Sequence, residues 1–289
     1  MKQFYVVLFL LLVATAGVCA QELPYFVTYS HHMEEPGSLE IESKTATARP
    51  DGGDRFVSDA IEFEYGTRAW WTSELYVEGQ KTAKDSTVFT GFRLENRVRP
   101  LLREHWINPV LYFEFEDING ANKSLLEVVG HDGNVDLTGS NAEGRAEKKR
   151  EVELKLILSS NAKGWNFSEN ITAEKNLRHA PWEFGYALAA SRPLRLAGGA
   201  HSGIFAPENF AYGVELYGGL GDKNSFGLRD TSQYFGPTLN WSGPGGLTIT
   251  GSPYFGLNGN SVPRIYRIGL SYEIGQVSRF LKASRQGVR

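Results

Sequence analysis

Carboxylates in this chain recur at every second residue between large apolar side chains. Ile61-Glu62-Phe63-Glu64-Tyr65 is one instance and Glu151-Val152-Glu153-Leu154-Lys155-Leu156 another. On an extended strand residues two apart share a face, so each run sets a row of acids against a row of apolar groups. Carried along the chain, the alternation puts Glu40, Glu42, Glu62, Glu64, Glu74, Glu78, Glu95, Glu114, Glu116, Glu151, Glu153, Glu183, Glu215 and Glu273 on the polar face. The bases there are Lys44, Arg93, Arg97, Lys155, Arg195 and Arg267. Six bases cannot neutralise fourteen acids, so the surplus carboxylates need water, bound cations or raised proton affinity. Lining an open passage, such a face concentrates cations and repels anions. Lining a closed one, its charges must form a network across it.

Two further groups could carry chemistry. His31-His32-Met33-Glu34-Glu35 offers imidazole and thioether for copper, or imidazole and carboxylate for zinc. Adjacent histidines on a strand point to opposite faces, and no second cluster completes a shell; no metal or cofactor is expected. His201-Ser202, with Glu208 and Glu215 nearby, invites comparison with hydrolases. A nucleophilic serine must hydrogen-bond its histidine directly, which strand neighbours facing opposite ways cannot do. The chain reads as a non-enzyme, with a lipid hydrolase as the lesser alternative. Trp70, Trp71, Trp106, Trp165, Trp182 and Trp241 fall near strand ends, the place of an aromatic girdle at a membrane interface.

The elements that position these residues are β-strands. Period-two alternation also appears in Trp182–Leu188, Tyr212–Tyr217 and Tyr266–Ile274. Breaks come at Arg49-Pro50-Asp51-Gly52-Gly53-Asp54, Asn161-Ala162-Lys163-Gly164 and Ser242-Gly243-Pro244-Gly245-Gly246. The apolar face carries aliphatics and aromatics on nearly every segment, and the opposite face carries charge, Gly and Ser. That second face suits a barrel lumen better than a protein core. The pattern predicts strands over 24–33, 38–48, 55–66, 69–79, 86–98, 108–118, 149–160, 164–174, 181–192, 194–206, 209–219, 230–241, 245–256 and 263–274. Each is near the ~9–11 residues of a tilted transmembrane strand. The expectation is an all-β antiparallel transmembrane barrel of about 14 strands, with 12 as the alternative. An even number puts both termini at one end, the periplasmic one. With 14 strands, segment 119–148 joins them there as an insertion, holding the apolar run Leu125-Leu126-Glu127-Val128-Val129 and a charged, short-helical stretch. In this register Val152, Leu154, Leu156 and Leu158 face lipid, and an inward Lys155→Leu change should be mild.

Residues 1–20 have the layout of a cleaved signal peptide: Lys2, an apolar run Phe4–Val13, and Val18-Cys19-Ala20 before Gln21. Its removal takes one base and the lone cysteine, leaving 29 bases against 33 acids, a net charge of −4. A mildly acidic chain without basic clusters has no footprint for nucleic acid. Without cysteine it has neither disulfides nor a thiol nucleophile, and a closed ladder must supply its stability. The predicted organisation is signal peptide 1–20, barrel 21–275 and a basic tail 276–289 with Arg279, Lys282, Arg285 and Arg289.

Arg267-Ile268-Gly269-Leu270-Ser271-Tyr272-Glu273-Ile274 resembles the closing-strand signal of bacterial outer-membrane β-barrels. Arg267, Gly269 and Tyr272 match its polar, glycine and first aromatic positions; Ile274 departs from the final aromatic. With the export signal and barrel texture, the chain is similar to the uncharacterised outer-membrane proteins near the phenol-degradation channel family. The resemblance implies a channel or transporter for small solutes in a Gram-negative-type outer membrane. Its partners would be outer-membrane lipid, the barrel-insertion machinery and an unidentified small solute. A sealed structural barrel is the alternative.

Overall fold

Alternating side chains need a sheet with two unlike faces, and here the sheet closes on itself. The computed structural model describes residues 23–178, 180–196 and 203–277. The predicted signal peptide, the His201-Ser202 pair and the tail beyond residue 277 lie outside the described residues. Twelve strands form one closed antiparallel barrel: β1 (Leu39–Ala48), β2 (Phe56–Arg68), β3 (Trp71–Thr82), β4 (Thr87–Val98), β5 (Asn108–Asn119), β6 (Lys148–Ala162), β7 (Trp165–Asn176), β8 (Trp182–Pro193), β9 (Phe210–Asp222), β10 (Gln233–Ser242), β11 (Leu247–Gly256) and β12 (Arg264–Ile274). Each strand pairs with its sequence neighbours, and β12 closes on β1 from Leu39↔Ile274 to Ala48↔Ile265. No helix among the described residues is long and apolar enough to cross a membrane.

Twelve strands replace the expected 14 because two alternating stretches are not in the wall. Residues 24–33 run inside the barrel, where their backbone bonds to side chains of the wall instead of a neighbouring strand. The described residues of 194–206 lie in the connection between β8 and β9; in the sequence, Gly198, Gly199 and Gly203 dilute the strand signal of this stretch. Losing one strand before β5 also moves segment 119–148. It lies at the far end of the barrel, opposite the start of β1 and the end of β12, not beside them as the 14-strand count required. Its charged part does form a short helix, α1 (Asn141–Ala146), capped by the Ser140 hydroxyl.

The outer wall is apolar. Phe63, Leu75, Leu94, Leu111, Leu154, Leu156, Ile171, Leu239, Ile268 and Leu270 are exposed on it, as a lipid-facing belt requires. A bulge keeps β4 in phase. At Gly91 (φ 151°) the register against β3 slips by one residue, leaving Phe89 and Phe92 outside while Arg93, Glu95 and Arg97 point inward. That φ suits glycine far better than any residue with a Cβ. Five of the six tryptophans (Trp70, Trp71, Trp106, Trp165 and Trp241) sit at the end where β1 begins, and Trp182 at the far end.

Candidate functional site

The interior is organised by cross-strand register. Glu273 lies opposite Glu40, Glu40 opposite Glu64, Glu64 opposite Glu74, and Glu74 opposite Glu95. Glu95 continues to Glu114, Glu153, Glu174 and Glu183, and Glu183 meets Asp222. Ten carboxylates on ten successive strands thus form one staircase. It starts one residue from the end of β12 and climbs to the last residue of β9 at the far end, because tilted strands turn a line of register into a spiral. Like charges directly opposite are destabilising, so this arrangement needs compensation. Glu62, Glu78, Glu116 and Glu151 stand beside it on the same inward face.

Compensation is concentrated on few bases. Arg97 reaches Glu64, Glu74 (2.5 Å) and Glu95 (3.3 Å). Arg93 reaches Glu78 (2.7 Å), Glu114 (3.3 Å), Glu116 (3.2 Å) and Glu127 (2.5 Å). Lys155 pairs with Glu153 at 3.0 Å and lies over the rings of Tyr29 and Tyr112 at 4.7 and 4.2 Å. Lys44 holds Glu62 at 2.5 Å and Glu42 at 3.6 Å. Phenols serve the middle of the staircase: Tyr76 donates to Glu74, Tyr112 to Glu114 and Tyr29 to Glu95 at 2.8–2.9 Å. Arg267 donates to the Leu125 carbonyl and to the Tyr217 hydroxyl. Arg195 is not in this set; it is exposed on the β8–β9 connection. The lumen is also not polar throughout. Tyr217, Tyr234, Tyr254, Val262 and Ile265 on the β9–β12 side build an apolar core with Phe26 and Val128.

Two segments fill the barrel. The N-terminal segment enters from the β1 end, and its turning point is Glu215. The backbone N–H groups of Phe26, Val27 and Thr28 donate to that carboxylate at 3.0, 3.1 and 2.8 Å, and Tyr254 donates its hydroxyl to it. Tyr29 exchanges two hydrogen bonds with the Asn170 amide. Gly269 leaves room here: a Cβ on it would stand 2.5 Å from Glu42 Oε1 and 3.3 Å from Phe26. Its place in the closing-strand signal therefore has a local use. From the far end, residues 120–137 fold in, and the apolar run brings Glu127 down to Arg93 and Lys155. Among the cavities left between the described residues are one of about 260 Å³ at the far end and one of about 190 Å³ at the β1 end. They share no lining residue, and the Tyr29–Tyr76–Tyr112 layer with its carboxylates stands between them.

His31 anchors the inserted segment near the β1 end. Its Nδ1 is 2.8 Å from Ser159 Oγ and its Nε2 3.1 Å from Glu104, a serine–imidazole–carboxylate line. Ser159 is 1% exposed inside the barrel, and its hydroxyl also meets Ser168 and Asn166. That geometry ties the segment to β6 and gives the hydroxyl no face toward lipid. Burial holds the His31 imidazole below its usual pKa, against the pull of Glu104. Sequence reading missed Ser159, Glu104, Glu127 and Glu174. The first three act through segments that alternation misassigned, whereas Glu174 was readable from the parity of β7.

No protein-family profile matches the chain, and no curated protein matches it in sequence. Among solved structures it is similar to an outer-membrane channel from Pseudomonas putida F1, with a TM-score of 0.50, 13% identity, and coverage of 87% of this chain and 98% of that one. The KdgM porin gives a TM-score of 0.44 at 10% identity, covering 81% of this chain and 98% of its own. The CymD monoaromatic hydrocarbon channel gives 0.40 at 8%, covering 84% and 88%. At such identities the first likeness speaks for the fold alone, a closed antiparallel β-barrel.

Proposed function

We propose that this chain is an outer-membrane channel for small solutes, shut in the conformation described and opened when its N-terminal segment leaves the lumen. One observation carries the reading. Residues 23–37 add no strand to the wall and are held mainly by side chains such as Glu215, Asn170 and Ser159. Among the described residues their only backbone-to-backbone bond to the wall is from the Gly37 N–H to the Gly66 carbonyl, so their departure leaves the paired strands intact. The apolar outer belt and the tryptophan-rich β1 end support placement in a Gram-negative-type outer membrane. Turns at the β1 end are short apart from 99–107 and 194–209, whereas the far end carries the longest connection, 120–147. That asymmetry supports termini facing the periplasm and the far end facing outward. The excess of acids along the staircase favours cations in the open state.

A sealed structural barrel is the second reading, favoured by the saturated contacts of Arg93 and Arg97. Planar-bilayer recordings of the mature protein and of a variant lacking residues 23–37 separate the two. The channel reading expects rare openings from the first, sustained conductance from the second, and a reversal potential showing cation preference across a salt gradient. Silence from both correctly inserted proteins refutes it; anion preference removes the acidic-lumen part.

A further inference from the structure

Three clusters of inward carboxylates bring their oxygens within 4.8 Å of one another. Two already hold two bases each. Glu114, Glu116, Glu127 and Glu153 surround Arg93 and Lys155; Glu62, Glu64 and Glu74 surround Lys44 and Arg97. The third, Glu116, Glu151 and Glu174, differs. Glu151 faces Glu116 directly across β5–β6, and Glu174 stands on β7 one register step away. Glu116 shares Arg93 with three other acids. Glu151 accepts only a neutral bond, from the Asn176 amide at 2.9 Å.

Glu174 supplies the independent observation. It is 8% exposed, its carboxylate points at the other two, and no hydrogen bond or ion pair among the described residues reaches it. Burying a charge without a directly bonded partner costs several kcal/mol, so this side chain must take up either a proton or a bound cation. All three acids line the far-end cavity of about 260 Å³, which has room for water to complete a coordination shell. Lys149 also lines that cavity and attracts Glu151 and Glu174 through space without a direct ion pair to either.

We infer that Glu116, Glu151 and Glu174 bind a hard divalent cation, calcium or magnesium, at the far-end mouth of the barrel. The donor set is carboxylate alone, without sulfur or imidazole, which suits these ions over transition metals. Oxygens sharing a calcium ion at about 2.4 Å lie no more than about 4.8 Å apart, and one oxygen of each of these three carboxylates lies within that limit of the others. The bound ion neutralises β5, β6 and β7 where the staircase leaves the membrane, whether or not the barrel conducts.

The test is isothermal titration of the folded mature protein in detergent with CaCl2 and, separately, MgCl2. Folding is verified by heat-dependent gel mobility. One saturable site is expected for at least one ion, with a Kd on the order of 10⁻⁴–10⁻³ M as in extracellular calcium modules. Glu174→Gln should weaken it about tenfold or more, with Glu151→Gln in reserve if that variant does not fold. Glu62→Gln, in a cluster already holding its own bases, should leave the affinity unchanged. Absence of saturable binding of both ions to the folded wild type overturns the site, as does wild-type affinity in a folded Glu174→Gln or Glu151→Gln variant. Equal weakening by Glu62→Gln overturns it too, since that would be diffuse attraction.

Discussion

Replacing Glu215 by alanine tests whether the N-terminal segment is held by one carboxylate. In the docked state that group receives three backbone N–H bonds, from Phe26, Val27 and Thr28, in a site where Glu215 itself is fully buried. Each buried donor left without an acceptor costs about 1–3 kcal/mol. Taking the lower figure, because water can enter the space the side chain vacates, the three together cost about 3 kcal/mol. At about 1.4 kcal/mol per decade, the undocked population rises roughly a hundredfold. Glu215→Gln keeps an acceptor oxygen and should cost about 1 kcal/mol. The readout is a Thr28→Cys background: Thr28 is 5% exposed when docked, and the only native cysteine, Cys19, falls in the predicted signal peptide. A membrane-impermeant maleimide should label the Glu215→Ala protein far faster than its parent. Equal labelling rates in two barrels of intact heat-dependent mobility would show that Glu215 does not hold the segment.

Register gives a second expectation, corrected by the interior. Leu156→Arg, on the exposed apolar face, should destabilise the barrel by about 2–4 kcal/mol. Lys155→Leu is not the mild change that alternation alone suggests; it strips Glu153 and Glu127 of a buried partner and should cost about 3–5 kcal/mol, measured by urea unfolding in lipid. A folded Lys155→Leu protein of wild-type stability would show the network to be dispensable. Gating should also depend on pH through Glu34, on the inserted segment. Burial first, then Glu273, Glu40 and Glu35, push its carboxyl up to about 8 against the opposing pull of Arg97. A raised pKa means docking is at full strength below about pH 4.5 and weakens about tenfold per unit until pH 8, where the effect levels off. The open fraction in bilayers should rise over that window and flatten in Glu34→Gln; an unchanged slope in the variant would assign the effect elsewhere.

Strand alternation is a local property, and it was readable wherever a strand has lipid on one side and polar lumen on the other. Ile61–Tyr65 and Glu151–Leu156 declare both faces, which is why the inward parity of Glu62, Glu64, Glu151 and Glu153 follows from sequence alone. Residues 24–33 alternate as well, but alternation records only that two sides of a chain meet different surroundings. A segment threaded through a lumen, with Phe26 against Tyr254 and Tyr29 against Glu95, satisfies that condition as well as a wall strand does. Its removal from the count changed the number of strands and the end at which 120–147 lies. Which acids face one another depends on turn lengths and on the Gly91 bulge, since each shifts a whole strand against its neighbour. The staircase from Glu273 to Asp222, the sharing of Arg93 among four carboxylates and the partnerless Glu174 are therefore decided by closure of the barrel, which sets distances between residues that no spacing along the chain encodes.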